Sequence, residues 1–483
     1  MAEQQFQIKL KDFYEGLSPH AGPNPLTSKG SKGQASVMQN MNVILADSMF
    51  PGKGLTNLSN GTQAGVVTEL INHILDKAVA ADTTYGIGPT KLFQISSTAV
   101  ASSGTWPHTI TNATDGESVV DFNGNIYYFY NKASGADIGK YDQASTFDDD
   151  WGSTVPTGAA ALQSAVHPVA VKEDLMVFGN GQYLGTYTGE TNTLAPTKLD
   201  FKAGQVVADV CFNGNQWVIA VNSGVSGNNQ NHSDIFLWGG AAINSILDDQ
   251  LSVGPNKIGF LYPLGGVVFV AYQDLSDIGS FKIGYINGRQ LKTLGYFTGT
   301  LPNFAQKTTY LNTILFLSGG LVFSAGAYND ELPLQLSQFA DGGYATCGAL
   351  ASPFGTPMIA STDGGSNFRL AKFFSYETAS VWKSLVIPVV NGRLLGYIDD
   401  ITVLTNNLQD NSASCSLTVE YNQATSTSTA KTITTAGKTL HRFNMNIKNV
   451  EDFRIALDFS AGSSSYPVEI REIIIDGHYY ERD

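Results

Sequence analysis

Residues 119–130 read VVDFNGNIYYFY. Two apolar runs flank Asn123-Gly124, and Asn-Gly favours the type I′ turn because both of its central positions need positive φ. The stretch therefore predicts a β-hairpin. Residues 209–221, DVCFNGNQWVIAV, repeat Phe-Asn-Gly-Asn at 212–215. The same plan of apolar run, turn and apolar run is found in NHILDKAVA (72–80), PVAVKEDLMVFG (168–179), FLYPLGGVVFVAY (260–272), TTYLNTILFLSG (308–319) and ASPFGTPMIAS (351–361). The residues before the turns are Ile74, Phe122, Val171, Phe212, Pro263, Tyr310 and Pro353, spaced by 48, 49, 41, 51, 47 and 43 residues. A third strand follows several pairs, as DIGKY (137–141), YLGTY (183–187), DIFLW (234–238) and FKIGY (281–285). Three or four strands at this period are the blades of a β-propeller; a solenoid repeats faster and serial sandwiches more slowly. Six or seven blades are predicted over 63–380, with the first and last units weakest, where the ring must close.

The flanks differ. Residues 1–62 are rich in Gly, Ser, Asn and Pro with short apolar runs such as Met41–Leu45. Such a segment buries too little apolar surface to offset its own ordering entropy. It is predicted to be an extended arm held from outside itself, most simply by a neighbouring subunit. Residues 381–483 carry longer strand-like runs, among them ITVLTNN, CSLTVEYNQ and FRIALDF, with Phe453, Ile455 and Leu457 alternating with Arg454, Ala456 and Asp458. These predict a C-terminal β-sandwich, jelly-roll-like, in an all-β protein.

Composition agrees with that class. The 483 residues are 42% hydrophobic but only 14% charged, with 50 glycines, 26 Phe and 21 Tyr, a profile of strands and tight turns. The net charge of −14 disfavours gripping nucleic acid, which needs a basic patch. None of the first 288 residues is an arginine, so the bidentate partner for phosphate or carboxylate is missing there. Cys211, Cys347 and Cys415 lie far apart and predict free thiols, buried or half-buried, in a reducing compartment. The N-terminal residues lack a secretion signal's apolar region, and no apolar run has the length of a membrane helix.

Each candidate for chemistry has a plainer reading. Ser361–Phe368, STDGGSNF, resembles the Asp-box of sialidases and related propellers, in which it is a structural turn. It departs from that pattern at Asn367 and Phe368. Sialidases also need an arginine triad drawn from several blades, so glycosidase activity is not expected. Asp148-Asp149-Asp150, Asp248-Asp249 and Asp399-Asp400 could hold Ca²⁺ or act as paired carboxylates. None has EF-hand spacing, and solvated loops are the expectation. The seven histidines are scattered singly, and GIGPTK (86–91) reads as a turn between strands. No catalytic, cofactor-binding or metal residue is assigned, and the protein is not expected to be an enzyme. Trp106, Trp151, Trp217, Trp238 and Trp382 could stack on sugars in a glycan- or receptor-binding propeller, although packing explains them more simply.

Three features together resemble the propeller-type structural proteins of tailed bacteriophages, the tail hub or DNA-stabilisation proteins of short-tailed phages. They are an arm ending in MFPGKGLTNL (49–58), irregular blades, and a closing domain containing FRIALDF (453–459) and YPVEIREIIIDGHYYER (466–482). The family's early proline-glycine segment corresponds to Pro51-Gly52-Lys53-Gly54-Leu55. The resemblance implies a virion component of the portal–tail junction or tail, made in the host cytoplasm. Its partners would be portal, adaptor or tail proteins and copies of itself in a ring, with non-specific passage of DNA and no membrane segment.

Overall fold

The hairpin at 119–130 forms as its residues dictate. Phe122 pairs with Asn125, and the loop residues Asn123 and Gly124 have φ of 48° and 73°. Gly265-Gly266 and Gly319-Gly320 make loops of the same kind, each with two positive φ values. The second Phe-Asn-Gly-Asn behaves differently. There Phe212 pairs with Trp217 across a four-residue loop, and Asn213 Oδ1 accepts from the Asn215 and Gln216 amides at 3.0 and 2.9 Å. A two-residue loop would put polar Gln216 where the first hairpin buries Ile126. The longer loop puts Trp217, 2% exposed, beside Phe212 instead. Burial sets the register here, and the turn follows.

The computed structural model describes residues 4–11, 13, 35–39, 41–42, 48–51, 53–58, 66–223, 232–240, 247–310, 313–325, 337–341, 346–362, 367–376, 379–389, 394–406, 413–434, 437–461 and 467–481. Among them, seven four-stranded antiparallel units follow one another. By their first strands these are blade 1 (His73–Ile74), blade 2 (Ala113–Phe122), blade 3 (Val169–Lys172), blade 4 (Gln205–Phe212), blade 5 (Asn256–Leu264), blade 6 (Lys307–Tyr310) and blade 7 (Thr346–Ala351). The four third strands expected from the sequence are all present. An apolar core fills each gap between neighbours: Tyr128 with Ile87 between blades 1 and 2, Phe129 with Phe178 between blades 2 and 3, Phe297 with Phe316 between blades 5 and 6. The seventh such core joins blade 7 to blade 1, through Ala349, Met358, Ile74 and Phe93. The ring is closed.

The described segments of the arm pair with strands of their own chain, which corrects the expectation that a neighbouring subunit is needed to hold them. Lys53–Asn57 is the fourth strand of blade 7, with Leu55 paired to Phe373 and Asn57 to Ala371. Gln4–Leu10 is an edge strand of the sandwich, paired along Ile470–Glu481. Ala35–Gln39 lies between Ser337–Asp341 of blade 6 and Ser380–Ser384. One sheet therefore runs from blade 6 through the arm into the sandwich. The sandwich faces Ile398, Ile401, Val403, Ile473 and Ile475 against Leu417, Val419, Ile455 and Leu457 in a single core. Its Ser380–Ser384 strand pairs with Asp452–Ala461. No helix of the described residues is long and apolar enough to cross a membrane.

Candidate functional site at the mouth of the ring

The first strands of blades 2, 4, 5 and 7 share an irregularity. In each, the pairing with the second strand skips, leaving an extra residue: Glu117, Ala208, Gly259 and a residue in the Gly348–Ala349 step. Bulges re-aim side chains. Glu117, Ala208, Gly259 and Gly348 all line one cavity of about 750 Å³ at the end of the ring where the first strands begin. All seven blades or the segments leading into them contribute to its wall. Ala208, Gly259 and Gly348 are small residues, and at the two glycines the reason is steric. A Cβ on Gly259 would lie 2.1 Å from the Pro302 carbonyl oxygen, and one on Gly348 2.1 Å from that of Ile71. Glu117 alone presents a charge at such a position.

Asn131 Nδ2 donates to Glu117 Oε1 at 2.7 Å, and Asn72 Nδ2 donates to Asp115 Oδ1 at 2.9 Å. Burial pushes the Glu117 carboxyl up to about 8, the neighbouring Asp115 adds to this, and the Asn131 bond opposes it. Lys257 is the remaining charged side chain of the wall, and Leu70, Val206, Ile258, Leu301 and Phe304 supply its apolar part.

Phe304 and Ala305 also line a second, smaller cavity of about 250 Å³ deeper on the axis. Phe304 packs on His73 with ring centroids 5.8 Å apart. Below it, Lys307 of blade 6 pairs with Asp209 of blade 4, and its Nζ donates to the Leu261 carbonyl of blade 5 at 2.6 Å. Asp209 also accepts from the Leu261 amide at 2.7 Å. Asp76 accepts from Thr308 of blade 6 at 2.8 Å and from the Ser352 amide in the first hairpin loop of blade 7. These polar contacts tie blades 1, 4, 5, 6 and 7 across the axis. Burial and the charge of Lys307 push His73 down to about 3.

His167, fully buried before blade 3, shares the Glu117 region and is pushed down to about 4 by burial, against its bond to the Gly179 carbonyl. An unfolded histidine titrates near 6.5, so the unfolded chain binds the proton first. Stability supplied by neutral His167 is complete above pH 6.5 and falls as the pH drops toward about 4; His73 adds to the same slope. The urea midpoint is expected to fall across that window, and less steeply in His167→Gln. Glu117, with its raised pKa, contributes in the opposite direction over part of this window, so the comparison with His167→Gln is decisive. A parent slope no steeper than that of the variant would refute the assignment.

The acidic clusters are more structural than the sequence suggests. Asp149, its side chain 14% exposed, accepts from His108 Nε2 at 2.9 Å, Tyr128 Oη at 2.6 Å and the Thr111 amide at 2.9 Å. Burial works against ionisation, but these bonds hold the carboxyl well below the usual range. It is a pin between blades 1 and 2 and not a solvated loop residue. Asp149→Ala strands the Tyr128 hydroxyl, and a loss of about 2 kcal/mol is expected in chemical denaturation. Asp249 pairs with Arg289, Asp400 with Arg442 and Asp399 with His478.

The tryptophans are also packing residues. Trp151, Trp217, Trp238 and Trp382 are 3%, 2%, 0% and 0% exposed, and Trp106 packs edge-on against Tyr141 and Phe147. Stacking of sugars on the four buried rings is excluded. Cys211 and Cys415 are buried and Cys347 half-buried, all as free thiols. Residues 363–366, the centre of the Asp-box-like motif, lie outside the described residues. Asp115, Glu117 and Lys257 were not singled out from the sequence. The one visible signal was Asp115-Gly116-Glu117 just ahead of the hairpin, an acidic pair at a strand start that otherwise reads as solvent-facing.

No family model matches the chain, and no curated protein matches it at a significant level. Among solved structures it is similar to a chain of the mitotic checkpoint complex, at 10% identity over 68% of this chain and 96% of that one, with a TM-score of 0.42. It is similar to the N-terminal domain of Nup159, at 10% identity over 68% and 96%, with a TM-score of 0.41. The PQQ-bound aldose sugar dehydrogenase of Streptomyces coelicolor is 8% identical over 67% and 98%, with a TM-score of 0.39. The chain's own seven four-stranded units and closing core show an all-β protein built around a β-propeller.

Proposed function

We propose that the chain is a structural component of a tailed-bacteriophage virion, in the tail or at the portal–tail junction, where it helps retain or conduct the packaged genome through assembly contacts. The observation that carries this reading is the sheet shared by blade 6, the arm and the sandwich. A ring closed by its own N-terminal strand and continuous with a second β domain transmits load as one body, which suits a part built into a larger assembly. A net charge of −14 suits a wall along which a polyanion slides without adhering. The axis of a single propeller is bridged by Lys307 and Asp209, so a path for DNA would run between copies and not through one.

Mass spectrometry and cryo-EM of purified particles test the proposal. A fixed stoichiometric ratio to the other tail proteins, with density for the ring at the neck or tail, is the expected result. A monomer absent from particles would overturn it.

A further inference from the structure

We propose that the mouth of the ring is a binding site for a small organic cation, an ammonium group on a compact apolar body, with Asp115 and Glu117 as its counter-charges. The cavity of about 750 Å³ falls in the range of small-molecule sites, which combine apolar walls with a few convergent polar groups. Four irregular first strands line it, three with small residues, two of which are sterically confined to glycine, and the fourth places Glu117 on the wall of the cavity. The hydrogen bonds already present set the polarity of the ligand. One oxygen of Glu117 is taken by Asn131 and one of Asp115 by Asn72. Each carboxyl retains a second oxygen, and once Glu117 gives up its proton both of these oxygens accept, so the pair calls for a cationic donor. Leu70, Val206, Ile258 and Leu301 would cover the apolar body.

A cation differs from a neutral donor in one measurable respect. Glu117 is held largely protonated at neutral pH by burial and by Asp115. An arriving ammonium favours the ionised form, so binding must expel the Glu117 proton to solvent. The other charged groups that bear on the site are Glu69, which acts on Asp115, and Lys257 on the cavity wall. Lys257 opposes a cation, so removing its charge should strengthen binding.

Titration calorimetry of the full chain with benzylammonium, using benzyl alcohol as the neutral isostere, tests this. Benzylammonium is expected to bind, with an enthalpy that varies with the buffer's ionisation enthalpy and a slope approaching one proton released per ligand at about pH 7. Glu117→Gln, which preserves an acceptor for Asn131, should weaken binding by about tenfold or more and abolish the proton release. Asp115→Asn should also weaken binding, and Lys257→Met should tighten it. The proposal is overturned by no binding at millimolar ligand, by equal affinity for benzyl alcohol, or by Glu117→Gln binding like the parent chain with its fold verified by circular dichroism. It is independent of whether the chain is part of a particle.

Discussion

Lys307→Met is expected to lower the free energy of unfolding by about 3–5 kcal/mol, the cost of leaving one member of a buried ion pair without its partner. The Lys307 and Asp209 side chains are 13% and 4% exposed. Asp209 keeps its bonds from the Leu261 and Val210 amides after the substitution, at 2.7 and 2.8 Å, but loses its only ion-pair partner among the described residues. The Leu261 carbonyl loses its donor as well. Blades 4, 5 and 6 meet at this point, so the damage reaches three blades. Denaturant midpoints measure the effect. Pairing Lys307→Met with Asp209→Leu removes both charges, and the double variant should recover part of the loss, since replacing a whole buried pair by apolar residues is often neutral. A loss below about 1 kcal/mol for the single variant would mean that water reaches Asp209 and solvates it.

The second large effect concerns ring closure. Deletion of residues 1–58 is expected to abolish the cooperative fold. It removes the outer strand of blade 7, with Leu55 and buried Leu58, and the sandwich strands Gln4–Leu10 and Ala35–Gln39. Blade 7 would retain three strands with Phe368–Tyr376 as an open edge, and an unpaired edge invites aggregation. The shorter deletion of residues 1–10 takes only an edge strand of the sandwich and should leave the propeller folded. Limited proteolysis and circular dichroism distinguish the two. A synthetic peptide spanning residues 48–60 should partly protect the longer deletion by restoring the strand. If the longer deletion keeps the parent's thermal midpoint, the closing strand contributes little.

Both predictions turn on contacts between residues distant in sequence, and these are the contacts that local reading missed. The hairpins and third strands were legible because strand pairs close over a few residues, with an Asn-Gly or Gly-Gly turn to mark them. The arm's destination was not. Lys53–Asn57 carries no pattern that names Phe368–Tyr376 as its neighbour, and a segment without a core of its own is equally satisfied by a second chain or by a distant part of the same one. The mouth was hidden for another reason: a bulge adds one residue to a strand and leaves no trace in composition or period. Asp149 looked like one of three adjacent acids in a loop, because its partners His108, Tyr128 and Thr111 come from elsewhere in blades 1 and 2.

The sequence by itself determined the all-β class, a repeating unit of three or four strands and the extra β domain at the C-terminus, since alternation and turn chemistry act over neighbouring residues. Even there the two Phe-Asn-Gly-Asn turns diverge, because burial of Ile126 agrees with the turn's own preference in the first hairpin while burial of Trp217 outweighs it in the second. Only the tertiary structure decided how the ring closes, which carboxylates are pins and which face a cavity, and that the axis is bridged by Lys307 and Asp209. Those outcomes depend on the spatial convergence of seven first strands, and on the desolvation that follows when their charged groups are enclosed together.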